Sequence, residues 1–346
     1  MNVSSAELRE PLGPAAVVTG VGSHLPPRRV TNDELCSRLD SSDAWIRERI
    51  GIQERRRADT EVSTGDLAVE AARRAMRSAG VTDADAVVLA TTTPDHHCPA
   101  TAPAVAHRLG LRDTIAFDVT AGCAGFVYAS AVAAGLISAG SARRVVVVGA
   151  ETMSAIIDSE DRATAPLFGD GAGAMVLEAG LPGQDGALGS FAWGSDGSLA
   201  DAIVIPAGGA RERDRRDTAP ASDFFVHMRG NEVFRHAVRR MSQAARDAAQ
   251  AAGWALDEVD RLIVHQANGR IAASVADALG IPPERTPSNI AHVGNTAAAS
   301  VPLLLAHAAD EGKLKPGHRV LVVAFGSGLA WAATSLVWPP GITAEL

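Results

Sequence analysis

Asp118-Val119-Thr120-Ala121-Gly122-Cys123-Ala124-Gly125-Phe126 sets a single cysteine at the junction between an apolar strand and an apolar helix. Residues 114–119 read as a short buried strand, and 124–139 as an alanine-rich helix without proline. Cys123 therefore falls at a helix N-terminus. Unpaired backbone N–H groups and the helix dipole favour negative charge there, so a stabilised thiolate is expected. Gly122 and Gly125 remove side chains beside it, which lets a carbonyl approach the backbone. A cysteine next to an apolar helix also has a plain packing reading, because free cysteine is among the most buried residue types. The stretch alone leaves both readings open.

The rest of the 346 residues bound what that thiol can belong to. The length exceeds one typical domain and implies two domains or two fused halves. Aromatics at 4 % with 33 glycines point to a core of small and branched aliphatic side chains. A net charge of −8 provides no overall basic surface and argues against a nucleic-acid partner. Cys36, Cys98 and Cys123 are too few for a disulfide framework and lack zinc-site spacing, so no metal is expected and the chain reads as cytoplasmic. Residues 1–14 carry Glu7, Arg9 and Glu10 without an apolar block, and read as a flexible lead-in rather than a signal peptide. The uncharged runs 119–142 and 320–338 are long enough to mimic membrane spans, but internal glycine clusters divide each into shorter elements, so no membrane partner is expected.

Upstream of Cys123, residues 16–22 read as a strand, and 43–49 as a helix placing Trp45 and Arg49 on one face. Arg47, Arg49, Arg55, Arg56 and Arg57 form the densest basic neighbourhood. They read either as a solvated face or, with Trp45, as a site for an adenine ring with phosphates. Residues 63–79 form an amphipathic helix, 86–91 a buried strand, and 92–99 a loop whose consecutive His96, His97 and Cys98 are poorly placed to share a metal. Strands follow at 144–149 and within 168–177, then an exposed loop at 207–223. Beyond it come a long helix at 231–253, a strand at 262–265, helices at 271–279 and 302–311, and a strand at 319–324.

An internal repeat organises these elements. The strands at Val87 and Leu262 lie 175 residues apart, as do those at Val145 and Val320, and both members of the first pair follow helices ending in Ala-Gly. Duplicated βαβ units with mainly parallel sheets are expected, in halves 15–185 and 186–346. Packing such halves about a pseudo-twofold axis brings equivalent strand ends together. His265, ending one buried strand, and Asn295, in a Gly294-Asn295-Thr296 loop, then become candidates to share a pocket with Cys123.

Five separated motifs carry a resemblance over residues 15–338. They are Gly122-Cys123-Ala124-Gly125-Phe126, Phe168-Gly169-Asp170-Gly171-Ala172-Gly173-Ala174, Gly230-Asn231-Glu232-Val233-Phe234, His265-Gln266-Ala267-Asn268 and Gly294-Asn295-Thr296. With them the chain resembles the β-ketoacyl-acyl-carrier-protein synthase III family. The resemblance implies an α/β, thiolase-like fold of two duplicated halves in five αβαβα layers, and a homodimer. It implies catalytic Cys123, His265 and Asn295 acting in decarboxylative condensation of an acyl-CoA primer with malonyl-acyl-carrier protein. Coenzyme A enters as a thioester substrate, and no resident cofactor is needed.

The same resemblance implies an oxyanion site from the backbone of Cys123 and Ser327. It implies that Trp45 and Arg162 sandwich the adenine, that Arg49 binds phosphate, that Gly230, Phe234 and Asn268 line the pantetheine tunnel, and that Arg270 meets the carrier protein. Three positions depart from the family pattern: Ala297 where serine is common, Ser327 where glycine is common, and Cys98 where phenylalanine often borders the partner subunit's acyl pocket. The smaller Cys98 implies a primer larger than acetyl. Other readings of the same residues are a papain-like hydrolase, whose Cys-Gly-Ser/Ala-Cys signature is missing, a relative passing the acyl group to a hydroxyl or amine with His265 as base, and a non-enzymatic scaffold.

Overall fold

A computed structural model of the protein describes residues 13–346 apart from Arg216. Most of the expected lead-in, residues 1–12, lies outside the described residues.

Two mixed sheets hold the core. The first contains β1 (Ala15–His24), β4 (Ala86–Ala90), β5 (Ile115–Val119), β6 (Arg144–Glu151) and β7 (Gly171–Gly180), in the order β1-β7-β6-β4-β5. Beside it, β2 (Arg28–Thr31) and β3 (Glu54–Arg57) pair as a small ribbon. The second contains β8 (Ala192–Ser195), β11 (Arg261–Val264), β12 (Arg319–Gly326) and β13 (Ala330–Val337), in the matching order β8-β13-β12-β11. A two-residue ladder joins β9 (Ile203–Val204) to β10 (His227–Met228).

The repeat survives at the level of register. Val87 pairs with Val146 in parallel, and Leu262 pairs with Leu321; adding 175 to each member of the first pair gives the second. The expectation of mainly parallel sheets is corrected. β1–β7, β6–β7, β12–β13 and β13–β8 are antiparallel, while β4–β5, β4–β6 and β11–β12 are parallel. Helices cross between the parallel neighbours. β13 instead leaves β12 through a three-residue turn at 327–329, which permits only an antiparallel return.

Helices α1 (Asn32–Cys36) and α2 (Asp43–Ile50) follow the β2 ribbon, and α3 (Thr64–Ser78) and α4 (Ala102–Arg108) cover the outer face of the first sheet. α5 (Gly125–Ser138) and α9 (Ser300–Asp310) fill the layer between the sheets, and α6 (Gly230–Ala251) and α7 (Gly269–Leu279) cover the second sheet. The alternating pleat dictates this layering: Val145 and Val147 of β6 face α5 and α9, while Val146 and Val148 face α3 and α4. In β12, Val320 and Val322 face the central layer and Leu321 and Val323 the outer one. Ser63 opens α3 with a reciprocal capping box to Asp66. Among the described residues no helix is long and apolar enough to cross a membrane.

β5 departs from its reading as a buried strand. It is the edge of the first sheet, with Ile115 41 % exposed and residues 116–119 half-buried. Shifted by 175 residues, β5 falls on α8 (Ile290–Val293), a single helical turn.

Candidate active site

Cys123 occupies a 3₁₀ turn, Gly122–Ala124, between β5 and α5. Asp118 of β5 accepts hydrogen bonds from Thr101 N and Ala102 N, both at 2.8 Å, so the strand leading to the cysteine is tied to the start of α4. The turn abuts the Gly326-Ser327-Gly328 turn of the other half. A Cβ at Gly326 would collide with the Cys123 backbone nitrogen, and one at Gly122 (φ +53°) would strike Ser327. The nucleophile candidate is therefore held at the seam by backbone-to-backbone contact that side chains would prevent.

His265 follows β11 and is 1 % exposed. Its backbone N–H donates to Val323 O at 2.9 Å, and the next residue is anchored by Gln266 N donating to Ser300 Oγ at 2.7 Å. Burial pushes the imidazole down to about 3, so the ring is neutral near pH 7. Nδ1 is buried without a partner among the described residues. Leaving a bare acceptor buried costs less than burying an unpaired N–H, which puts the proton on Nε2.

Asn295 is 3 % exposed and is gripped through its backbone: its N–H donates to Leu167 O at 2.9 Å, and its carbonyl accepts from Gly169 N at 3.0 Å. Its Oδ1 accepts from Ala297 N at 2.9 Å, leaving Nδ2 as the free end of the amide. Ala297, the family departure, sits in the left-handed region at φ 45°, and its N–H bond to Asn295 Oδ1 helps hold it there.

Cys123, His265 and Asn295 line one cavity of about 990 Å³. Trp45, Arg49, Gly230, Phe234, Asn268 and Arg270 line the same cavity, as does Ser327. Asn268 caps α7 by accepting from Arg270 N at 2.9 Å, and the Arg270 guanidinium lies 5.7 Å from the Phe234 ring centroid. Arg162 is outside the cavity lining but stacks on Trp45 at 5.0 Å from the ring centroid and pairs with Asp40 at 3.7 Å. Cys98 stands apart: it is exposed on the loop before α4, away from the cavity of its own chain.

Two expectations change. The Cys123 thiol is not pulled down by the helix end; burial, followed by the charge of Glu151, pushes it up to about 12. The apolar surroundings outweigh the helix dipole. The basic cluster also divides. Arg49 alone of its five arginines reaches the cavity, Arg47 pairs with Asp43 at 2.7 Å, and Arg55 is fully buried. Neither the solvated-face nor the phosphate reading describes Arg55, because its position on β3 turns it into the protein.

Sequence reasoning overlooked Glu151 and one cavity wall. Glu151 ends β6 with 0 % exposure and accepts from Thr92 N at 3.1 Å, Thr92 Oγ1 at 3.0 Å, Thr93 Oγ1 at 2.7 Å and Ala298 N at 3.4 Å. Burial still raises its carboxyl to about 7. A carboxylate closing the apolar run Val145-Val146-Val147-Val148-Gly149-Ala150-Glu151 was the available signal. The wall formed by Ile203, Val204, Val226 and Met228 comes from β9, β10 and their flanks, which are too short to show periodicity.

These two groups set opposite pH trends in stability. His265 binds its proton more weakly folded than unfolded, so it contributes stability above its ordinary 6.5 that is lost as pH falls toward 3. Glu151 binds its proton more tightly when folded, so its contribution is present below 4.5 and is lost as pH rises through about 7. Between 4.5 and 6.5 the two offset each other. Glu151→Gln should remove the opposing trend, so that its melting temperature, measured against wild type, rises more steeply across that window. Parallel wild-type and variant profiles would refute this.

The doubled sheet with a cysteine turn at its seam is the thiolase fold, and with histidine and asparagine from the second half it defines a condensing acyltransferase. Profiles described as 3-oxoacyl-[acyl-carrier-protein (ACP)] synthase III and its C-terminal part match residues 117–197 and 249–338. Beta-ketoacyl-[acyl-carrier-protein] synthase III 3 of Streptomyces coelicolor is 54 % identical over 327 residues, covering 94 % of this chain and 98 % of that protein. A crystal structure of 3-oxoacyl-(acyl carrier protein) synthase III from Pseudomonas aeruginosa matches with TM-score 0.88 and 47 % identity, over 94 % of this chain and 98 % of that one. The priming beta-ketosynthase from the R1128 polyketide biosynthetic pathway also reaches TM-score 0.88, at 36 % identity over 96 % of this chain and 99 % of that one. The chain belongs to the β-ketoacyl-acyl-carrier-protein synthase III family.

Proposed function

We infer that the enzyme condenses an acyl-CoA primer with malonyl-acyl-carrier protein to give 3-oxoacyl-carrier protein, initiating fatty acid or polyketide chains. The observation that carries this is the meeting of Cys123, His265 and Asn295 in one cavity that also holds Trp45 and Arg49. Cys123 attacks the primer thioester: its sulfur bonds the acyl carbon, the bond to coenzyme A breaks, and the thiol proton ends on the departing sulfur. Because the resting thiol is protonated, attack and proton transfer are coupled. The N–H groups of Cys123 and Ser327 donate to no backbone carbonyl among the described residues, which supports them as the donors for the tetrahedral oxyanion.

Malonyl-carrier protein then loses carbon dioxide. The enolate oxygen accepts from His265 Nε2–H and Asn295 Nδ2–H, and the new carbanion bonds the acyl carbon as the Cys123 sulfur leaves. Solvent returns the proton to the thiol. A neutral imidazole is the form this step needs, since it donates a hydrogen bond without surrendering a full proton. The rival reading, with His265 as base for a hydroxyl or amine acceptor, fits poorly with a ring held at about 3. No resident cofactor is needed, because thiol, imidazole and amide cover each step.

Trp45 and Arg162 are assigned to the adenine. A ring inserted between two flat groups needs about 7 Å, whereas Arg162 lies 5.0 Å from the Trp45 ring centroid. Arg162 must therefore swing away when coenzyme A binds, releasing its exposed contact with Asp40. Arg49 is assigned to phosphate, Gly230, Phe234 and Asn268 to the pantetheine arm, and exposed Arg270 to the acidic carrier protein. The uncovered apolar edge of β5 supports a homodimer, and three free cysteines support a reducing cytoplasm. In the dimer, Cys98 is assigned to the partner's acyl pocket. Cys98→Phe should then narrow a primer panel toward short acyl-CoAs, by about tenfold for branched or medium chains; an unchanged preference would remove Cys98 from that role.

The test of the whole reading is sequential: labelled acyl-CoA, then malonyl-carrier protein, with capture of 3-oxoacyl product and carbon dioxide. Labelling of Cys123 without condensation would favour transfer to a hydroxyl or amine.

A further inference from the structure

Arg55 is the largest fully buried side chain among the described residues, and no step above uses it. It hydrogen-bonds no carboxylate among those residues. Its fork reaches three oxygens on three separate segments: Nη1 donates to Val30 O at 3.1 Å, and Nη2 to Asn32 Oδ1 at 2.9 Å and Pro166 O at 2.7 Å. Burial lowers the guanidinium only to about 10, so it stays charged at neutral pH. A planar fork with spread donors satisfies such a set; an ammonium, a single point of charge on a shorter and more flexible stem, does not.

Two of these contacts lead toward the site from opposite sides. Pro166 begins the strap 166–169, whose Leu167 carbonyl and Gly169 N–H grip the Asn295 backbone at 2.9 and 3.0 Å. The Arg55 stem fills the space beside that strap: a Cβ on Gly169 or Gly294 would come within 3.2 or 3.1 Å of Arg55 Cβ. On the other side, Asn32 is 1 % exposed, and its Nδ2 donates to Asp43 Oδ1 and Ile52 O, both at 2.8 Å. Asp43 is the first residue of α2, which carries Trp45 and Arg49. One chain of hydrogen bonds, buried from Asn32 through Arg55 to Pro166, therefore links the half-exposed Asp43 at the start of α2 to the strap that holds Asn295.

We propose that Arg55 is a positioning residue for Asn295, fixing the 166–169 strap and tying it to the helix that carries Trp45 and Arg49. This rests on Asn295 serving malonyl decarboxylation rather than primer acylation. Displacement of a catalytic amide by about 1 Å costs on the order of 100-fold, and it would fall on turnover in the second half-reaction, whereas loosening α2, which carries Trp45 and Arg49, would raise the KM for acyl-CoA in the first without lowering its rate at saturation. A merely structural Arg55 would affect both half-reactions together.

Full-length wild type, Arg55→Lys, Asn32→Ala and Asn295→Ala should be compared in two measurements. The first is self-acylation of Cys123 by intact mass at saturating acyl-CoA, where weaker coenzyme A binding through α2 does not enter the rate; the second is carbon dioxide release from malonyl-carrier protein by enzyme already acylated. Arg55→Lys should lose roughly 10- to 100-fold in the second with the first within about threefold. Equal losses in both, or loss in neither, would overturn the proposal. If Arg55→Lys does not fold, Asn32→Ala decides by the same split, with about tenfold expected in the second measurement. Asn295→Ala separates the two layers of argument. If it releases carbon dioxide at the wild-type rate, the assignment of Asn295 is wrong; if it fails while the variant that decides keeps release, only the role of Arg55 is wrong.

Discussion

Cys123→Ala should form no acyl-enzyme and should lower condensation by at least about 1,000-fold. The sulfur is the only protein group in the scheme that bonds carbon, and no other cysteine lines the cavity. Intact mass after incubation with acyl-CoA provides the measurement, and a retained acyl adduct would end the assignment. The substitution removes a side chain from a turn fixed by backbone packing against Gly326, so the fold should persist. Wild-type alkylation of the same thiol should be slow at neutral pH and accelerate as pH rises toward 12, since burial keeps it protonated.

His265→Ala and Asn295→Ala should each lower malonyl decarboxylation by about 100- to 1,000-fold while self-acylation of Cys123 falls far less. Each removes one of two donors to the enolate oxygen, and a lost donor in a water-poor site is worth about 3–4 kcal/mol. The two should not be additive, because both act on one oxygen. Their pH behaviour separates them from a general base. With His265 at about 3, decarboxylation should show no histidine limb near 6.5; a limb there, lost in His265→Ala, would show that the ring titrates during turnover. Equal loss of acylation and decarboxylation in both variants would point instead to collapse of the site.

Much of the fold could be read because its signals are local and repeated. Uninterrupted valines at 145–148 and alternating cover by helices made the core strands plain, and the 175-residue spacing carried through to the hydrogen-bond register of β4–β6 and β11–β12. Strand direction was not legible in the same way, since an apolar run fits either direction, and only the short turn after β12 and the return of β7 settle it. The burial of β5 was misread for a related reason: its apolar residues face an open edge, and sequence does not say which strand is last.

By itself the sequence determined the nucleophile's setting, the two halves and the residue types able to stabilise an enolate, because glycines, an apolar helix and a spaced repeat are properties of neighbours along the chain. Only the tertiary structure decided that Cys123 rests as a thiol and His265 as a neutral ring, because desolvation depends on what packs around a group from other segments. It also separated Arg49 on the cavity from Arg55 in the interior, and revealed Glu151 beneath Thr92. Arginines within a few residues of one another look alike in sequence; the direction in which a strand or helix turns them makes one a candidate ligand contact and another a buried brace.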